Sequence, residues 1–339
     1  MKCDRDDPVI MPCSSYLKPL LTPEHMTQRV FYAASKYMDD NKFDGFYQSV
    51  HVDEKWFFVT EEHLRLYIAI DEEAPNRFIQ NKGHITKVMF LCAIARPRYN
   101  DNGECLFDGK IGMWPIVEYR AAQRRSDNHE RGDIVTRPVK CNRDKYRELM
   151  IEKVLPAIKE KWPHNERDIL IQQNGAPAHI FADDVEFGLQ ARAGNWNIRL
   201  ETQPAKSPDT NVLDLSFFRA LQSLQWKSPR ANDIDGLIHQ VLQSFRIFEP
   251  RKIDFGFLTL QTVLDNILCH HGGNEFKIEH IGKERLLRNG ELENRRNASV
   301  EAAAVAQFVR NPRQQPDNNN RRDNGPHEQG QMIQQQEAV

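Results

Sequence analysis

The chain has 339 residues, of which 40% are hydrophobic and 28% charged, and its formal net charge is -2. That profile belongs to a globular protein with material for one large domain or two ordinary ones. It excludes whole-protein electrostatics as a route to nucleic acid, so any DNA-binding surface has to be a local patch. The six cysteines, Cys3, Cys13, Cys92, Cys105, Cys141 and Cys269, include no C-x-x-C pair. A zinc module and a secreted disulfide framework are therefore not expected, and a reducing compartment fits. The start, MKCDRDDPVI, has no basic stretch followed by an apolar run, and no run of about 18 apolar residues occurs anywhere. Neither a signal peptide nor a membrane span is expected.

The first element with a clear start opens at Thr22-Pro23-Glu24. Thr22 suits a helix N-cap, and Pro23 suits the first helical position because its missing N–H would have no partner there. Met26, Val30, Ala34 and Met38 follow at helical spacing. Val50 and Val52 alternate with Ser49, His51 and Asp53, the period of a half-buried strand. The apolar run Val88 to Ala95 predicts a strand covered on both faces. Asn102-Gly103 is a hairpin signal, with Cys105 to Val117 as the returning strand.

A polar stretch from Glu118 to Asn142 comes next, then a helix around Tyr146, Met150, Val154 and Ile158 that Pro156 should kink. Asp168 to Gln173 predicts a buried strand, followed by a helix near Ala182–Gln190 and a strand near Ile198–Thr202. Helical periodicity returns over Leu213–Trp226, Ile234–Phe245 and Phe257–His270, where His270-His271-Gly272-Gly273 reads as a helix end closed by glycine. Five strands interleaved with helices predict a mixed sheet covered by helices. From Asn311 to Val339, Gln and Asn supply 12 of 29 residues, too little apolar area to offset chain entropy. The expected organisation is a linker and helix over 1–45, a main domain over 46–288 and a disordered tail over 289–339.

Three segments concentrate chemistry. They are His51-Val52-Asp53-Glu54-Lys55-Trp56 on the first strand, Gln172-Gln173-Asn174-Gly175-Ala176-Pro177-Ala178-His179 after the fourth, and Ser207-Pro208-Asp209-Thr210-Asn211-Val212-Leu213-Asp214 leading into a helix. Two-metal cleavage of a phosphodiester needs two hard cations about 4 Å apart, and several carboxylates must converge to hold them. A carboxylate mid-strand, one at a neighbouring strand end and one on a covering helix can meet at one sheet edge. Asp53 and Asp214 occupy two such positions, and Asn174 stands at the third. Trp56 is expected in the core. Between Arg120 and Arg147 nine Lys or Arg face five acids, either a solvated loop and helix start or a phosphate-contacting patch.

These segments resemble the "DEKW", "QQDGA-x-x-H" and "SPDLNVxDLGFF" signatures of mariner-like DNA transposases, and 39 residues separate Asn174 from Asp214, as in the plant and oomycete-type branch. The resemblance covers roughly Leu17 to Leu287. It implies an RNase H-like α/β fold with a mixed five-stranded sheet, helices on both faces and further C-terminal helices. It also implies a catalytic set of Asp53, Asn174 and Asp214, with Asp53 and Asp214 holding Mg²⁺ or Mn²⁺. DNA is the implied partner, Arg120, Arg124, Arg125, Lys140 and His179 are candidate contacts, and His179 would orient the loop or the DNA. A homodimer, or pairing with an intact transposase, and a nuclear location go with it.

The chain departs from that pattern in three ways. Asn174 is neutral where the pattern has an acid, which implies a loss of rate on the order of 10³-fold. Only about fifty residues precede Asp53, so the family's helix-turn-helix region is missing. Gly256 replaces a large apolar residue, which implies weaker packing among the C-terminal helices. Three functions stay open: a metal-dependent DNA transposase or nuclease, a catalytically silent nucleic-acid-binding relic, and a folded protein with no DNA role.

Overall fold

The structure, a computed structural model, describes residues 17–59, 86–125, 129–163, 166–229 and 231–311. Its centre is a five-stranded sheet in the order β5-β2-β1-β8-β9. The strands are β1 (Ser49–Phe58), β2 (Lys87–Ala95), β5 (Lys110–Pro115), β8 (Asp168–Gln173) and β9 (Asn197–Thr202). β1 pairs antiparallel with β2 and parallel with β8, and β8 pairs parallel with β9. Helices cover both faces, so the expected mixed sheet is the one observed. On one face lie α2 (Arg143–Leu149), α3 (Leu155–Lys161) and α4 (Val185–Arg192); on the other lie α1 (Pro23–Ser35), α5 (Phe218–Gln225), α6 (Ile234–Ile247), α7 (Pro250–Cys269) and α9 (Val300–Arg310). A short α8 (Lys283–Arg288) joins the last two. Among the described residues no helix is long and apolar enough to cross a membrane.

The alternation read in β1 has a different meaning from the one expected. Ser49 to Asp53 are all buried, so the strand is not half-exposed. Val50 and Val52 enter the core under α2–α4, while His51 and Asp53 point to the face covered by α5 and α7. Period two here separates two interiors, one apolar and one carrying the polar groups.

Four further expectations are corrected. The returning strand after Asn102-Gly103 is broken at Asp108-Gly109 into β4 (Cys105–Phe107), which pairs with β3 (Arg98–Tyr99), and β5 in the main sheet. The polar stretch after Glu118 is no loop: β6 (Val117–Ala121) and β7 (Ile134–Pro138) pair as an antiparallel hairpin. Its side chains are mostly exposed, so no apolar periodicity announced it. Trp56 is half-buried, with Lys87 Nζ 4.7 Å from its ring centre, because it faces outward where the sheet edge opens. Finally, residues 289–310 do not belong to a disordered tail. Ser299 caps α9, and Ala302 and Ala306 are buried against the core that holds α1 and α7. The remainder of the expected tail, from 312, lies outside the described residues.

Prolines and glycines act as read, with one exception. Pro156 does not kink its helix sharply, because the π-helical turn Met150–Val154 between α2 and α3 absorbs the missing donor. α7 closes as expected, with His271 and Gly272 at φ of 48° and 88° and Gly272 N–H donating to Ile267 O at 2.7 Å. Gly256 is the exception. A Cβ there would lie 2.7 Å from Ser216 Oγ and 2.9 Å from Val212 Cγ2. α7 is thus seated directly on the turn that carries Asp214, and Gly256 marks close packing where the resemblance implied loose packing. Ser216 stands where the transposase signature has glycine, so the small residue has moved from one helix to the other.

Gly256→Ala should lower the unfolding free energy by about 1–3 kcal/mol through overpacking, against up to ~1 kcal/mol gained in helix propensity. Ser216→Gly in the same chain should restore part of the loss, with a coupling of at least ~0.5 kcal/mol in a denaturant double-mutant cycle. Strict additivity would show that the two positions do not compete for space.

Candidate active site

The three residues singled out in the sequence meet. The β1–β8 register pairs His51 with Gln172, and two residues further along each strand it sets Asp53 beside Asn174. Both point to the α5/α7 face. Asn174 Nδ2 donates to Asp53 Oδ1 at 3.0 Å. Asp214 arrives from a π-helical turn, Leu213–Phe217, that opens directly into α5. Such a turn widens the helix by one residue and re-aims the side chain it carries. Asp53 is buried, whereas Asp214 is exposed at the open side of the site.

The electrostatics follow from that placement. Burial pushes the Asp53 carboxyl up to about 8, and the nearby charges of Asp214 and Glu54 add to the shift. The walls around Asp214 raise its carboxyl as well, while a hydrogen bond from Asp53 and the charge of Lys55 pull it back. Two carboxyl groups brought this close cannot both ionise at low cost; they need a shared proton or a cation between them.

Asn174 does not supply that cation's third ligand. Its Oδ1 accepts from Ala176 N–H at 2.9 Å, and its Nδ2 faces Asp53. Exchanging the two ends would oppose oxygen to oxygen and N–H to N–H, so the network fixes the orientation. Asp53 also accepts from Glu54 N–H at 2.8 Å and Asn211 Nδ2 at 3.2 Å. Among the described residues no group of three or more His, Cys, Asp or Glu is placed to hold a metal. The oxygens of Asp53 and Asp214 fit one divalent cation, and the donor set does not fit two.

His179 is not a DNA contact. It is 3% exposed, stacks on Tyr146 at 4.1 Å and 15°, and bridges Asn174 O at 2.8 Å and Glu54 Oε1 at 2.9 Å. It holds the Asn174 loop against β1 from the opposite face. Arg120, Arg124, Arg125 and Lys140 are exposed on or beside the β6–β7 hairpin. Arg120 pairs with Glu118 at 2.7 Å and Arg125 with Glu130 at 3.1 Å. Arg124, Arg125, His129 and Arg137 line a depression against Ile234.

Several positioning residues escaped sequence reading. Gln172 Nε2 donates to Thr210 O at 2.9 Å, and Tyr32 OH donates to Gln172 Oε1, tying β8 to the loop before Asp214. On the other face Gln173 Nε2 donates to Ile180 O at 2.7 Å and Gln173 Oε1 accepts from Tyr146 OH at 2.9 Å. Fully buried Arg29 forks onto Asp209 at 2.6 and 2.7 Å and donates to Gly272 O at 2.8 Å, joining α1, the Ser-Pro loop and the end of α7. A usable signal did exist: two glutamines end a strand whose other residues demand burial, and buried amides need partners.

His51 completes the floor. Its Nδ1 accepts from Val212 N–H at 3.3 Å, and Phe46 and Phe257 meet its ring edge-on. Burial pushes its pKa down to about 3. The folded chain therefore keeps His51 neutral while the unfolded chain binds a proton near pH 6.5. Stability from this group is full above that pH and falls as the pH drops toward 3, with a slope approaching ~1.4 kcal/mol per pH unit. In His51→Gln, acid unfolding curves should lose that increment between pH 6.5 and 3; a parent and variant of equal slope would show that His51 is protonated in the fold.

No family model matches the chain, and no curated protein matches it. Solved structures do. A pre-cleavage Mos1 transpososome superposes with a TM-score of 0.58 at 15% identity, covering 80% of this chain and 70% of that one. The Mos1 mariner paired end complex with Mn gives 0.56 at 16% identity, covering 80% and 70%. The isolated catalytic domain of Mos1 mariner transposase gives 0.50 at 14% identity, with 77% of this chain covering 100% of that domain. The chain has the RNase H-like fold of the mariner transposase catalytic domain.

Proposed function

We propose that this chain is a transposase-derived nucleic-acid-binding protein whose ancestral activity, metal-dependent cleavage and joining of DNA strands, is silenced at Asn174. The direction of one hydrogen bond carries the reading. Asn174 turns an N–H toward Asp53 where the resemblance implies a third carboxylate, so the position offers a donor to a group that would have to bind cations. Held between Asp53 and Asp214, a single Mg²⁺ or Mn²⁺ would stabilise charge on a phosphate oxygen. The chain's own residues do the rest: Asn211 and Glu54 N–H fix Asp53, while Glu54 and His179 hold the Asn174 loop. DNA as partner is supported by the fold's likeness to a Mos1 transposase paired-end complex with left transposon end. A homodimer or pairing with an intact transposase, and a nuclear location, go with this reading.

An active metal-dependent nuclease is the second reading, and one observation favours it. The Asp53–Asp214 pair is left with a raised affinity for positive charge, which a divalent ion would satisfy as well as a proton. A plasmid-nicking assay in Mn²⁺ separates the two. The unmodified chain should nick no faster than a protein-free control, and Asn174→Asp should exceed it by about 10³-fold. Nicking by the unmodified chain at the rate of Asn174→Asp would overturn silencing. If neither cuts, duplex binding that weakens steeply with salt keeps the nucleic-acid role, and no binding leaves a fold without one.

A further inference from the structure

At the end of the sheet away from Asn174, three arginines gather around one buried acid. Arg96 follows β2 directly and is fully buried; its Nε donates to Asp254 Oδ1 at 2.8 Å and its Nη1 to Gly45 O at 2.8 Å. Arg251, from the first turn of α7, reaches the other oxygen of Asp254 at 3.5 Å. Arg98, in β3, donates to Tyr47 O and to Glu166 Oε2, each at 3.0 Å. Aromatic rings fix the forks. The Arg96 guanidinium carbon lies 4.7 Å from the Tyr47 ring centre and that of Arg251 3.3 Å from the Tyr99 ring centre.

The cluster is incomplete in two respects. Arg96 Nη2, Arg98 Nε and the Tyr99 hydroxyl are all buried without a hydrogen-bond partner among the described residues. Charge is also out of balance. Three guanidiniums face Asp254 and Glu166, while Glu249 and Asp108 at the rim have their own cations, Lys252 at 3.5 Å and Lys110 at 3.4 Å. A buried water could satisfy the orphaned N–H groups but could not neutralise the spare charge. An oxyanion does both, and planar arginine forks with a hydroxyl match the oxygens of a phosphate.

We propose that Arg96, Arg98, Arg251 and Tyr99 form an oxyanion site that takes a phosphate group, distinct from the Asp53 site. Asp53 pairs with Cys92 and Val50 with Ala95, so Arg96 begins about 10 Å along the sheet from the carboxylates. The phosphate can belong to free inorganic phosphate or to a nucleic-acid backbone; both present the same tetrahedral oxygens.

The test is isothermal titration of the whole chain with inorganic phosphate, against chloride at matched ionic strength. One phosphate per chain should bind, with affinity lowered about tenfold in Arg251→Gln and about threefold in Tyr99→Phe, and unchanged in Arg124→Gln on the β6–β7 hairpin. Phosphate displaced by a short DNA duplex assigns the site to backbone, and phosphate retained assigns it to the free ion. Binding no stronger than chloride would overturn the proposal. So would a Tyr99→Phe chain that binds phosphate like the parent and melts higher, the signature of a hydroxyl that is merely buried.

Discussion

Parallel pairing of β1 with β8 fixes the chemistry of this protein, because it sets two side chains from distant parts of the chain side by side on one face. Once His51 is paired with Gln172, the strand period of two leaves no freedom about what stands next to Asp53. That neighbour is an amide. A carboxylate at Asn174 would face Asp53 and Asp214 as a third negative charge, and the cluster would need cations to exist. The amide needs none, since it donates to Asp53 and accepts from Ala176. One side chain thus converts a site that depends on metal into one that hydrogen-bonds within the protein.

The surrounding polar groups are arranged so that the site keeps its shape without a ligand. Gln172 and Gln173 leave β8 on opposite faces, one holding the loop before Asp214 and the other the loop after Asn174. Arg29 ties the first helix to the Ser-Pro loop and to the end of α7, three segments far apart in sequence. In a low-dielectric interior such bonds are strong when complete, and costly when one partner is lost. Asp209 therefore has a structural role although it lies nearer the Ser-Pro pair than Asp214 does. α1, expected as part of a leading linker, is through Arg29 a wall of the domain.

Much of the fold was legible in the sequence because its strands are covered on both faces, and continuous apolar runs over Val88–Ala95 and Asp168–Gln173 report that directly. The helices α6 and α7 were equally plain from periodicity. What escaped has a common cause. The β6–β7 hairpin buries little and so carries no apolar pattern, and α9 is rich in alanine, whose small side chains count for little in composition yet pack closely against α1 and α7. The arginine cluster around Asp254 was invisible too, since Arg96, Arg98 and Arg251 come from separate elements and none is unusual alone.

By itself the sequence determined which elements form and which residue types stand at the three chemical positions: aspartate at 53, asparagine at 174, aspartate at 214. Those are matters of local propensity and of identity, and both are written in the chain. Only the tertiary structure decided how the groups face one another. Orientation of the Asn174 amide depends on Ala176 N–H and Asp53, withdrawal of His179 from the surface on Tyr146 and Glu54, and the need for glycine at 256 on Ser216 and Val212. Each is set by atoms that lie close in space but are not read from spacing, because packing and hydrogen-bond direction are properties of pairs rather than of residues.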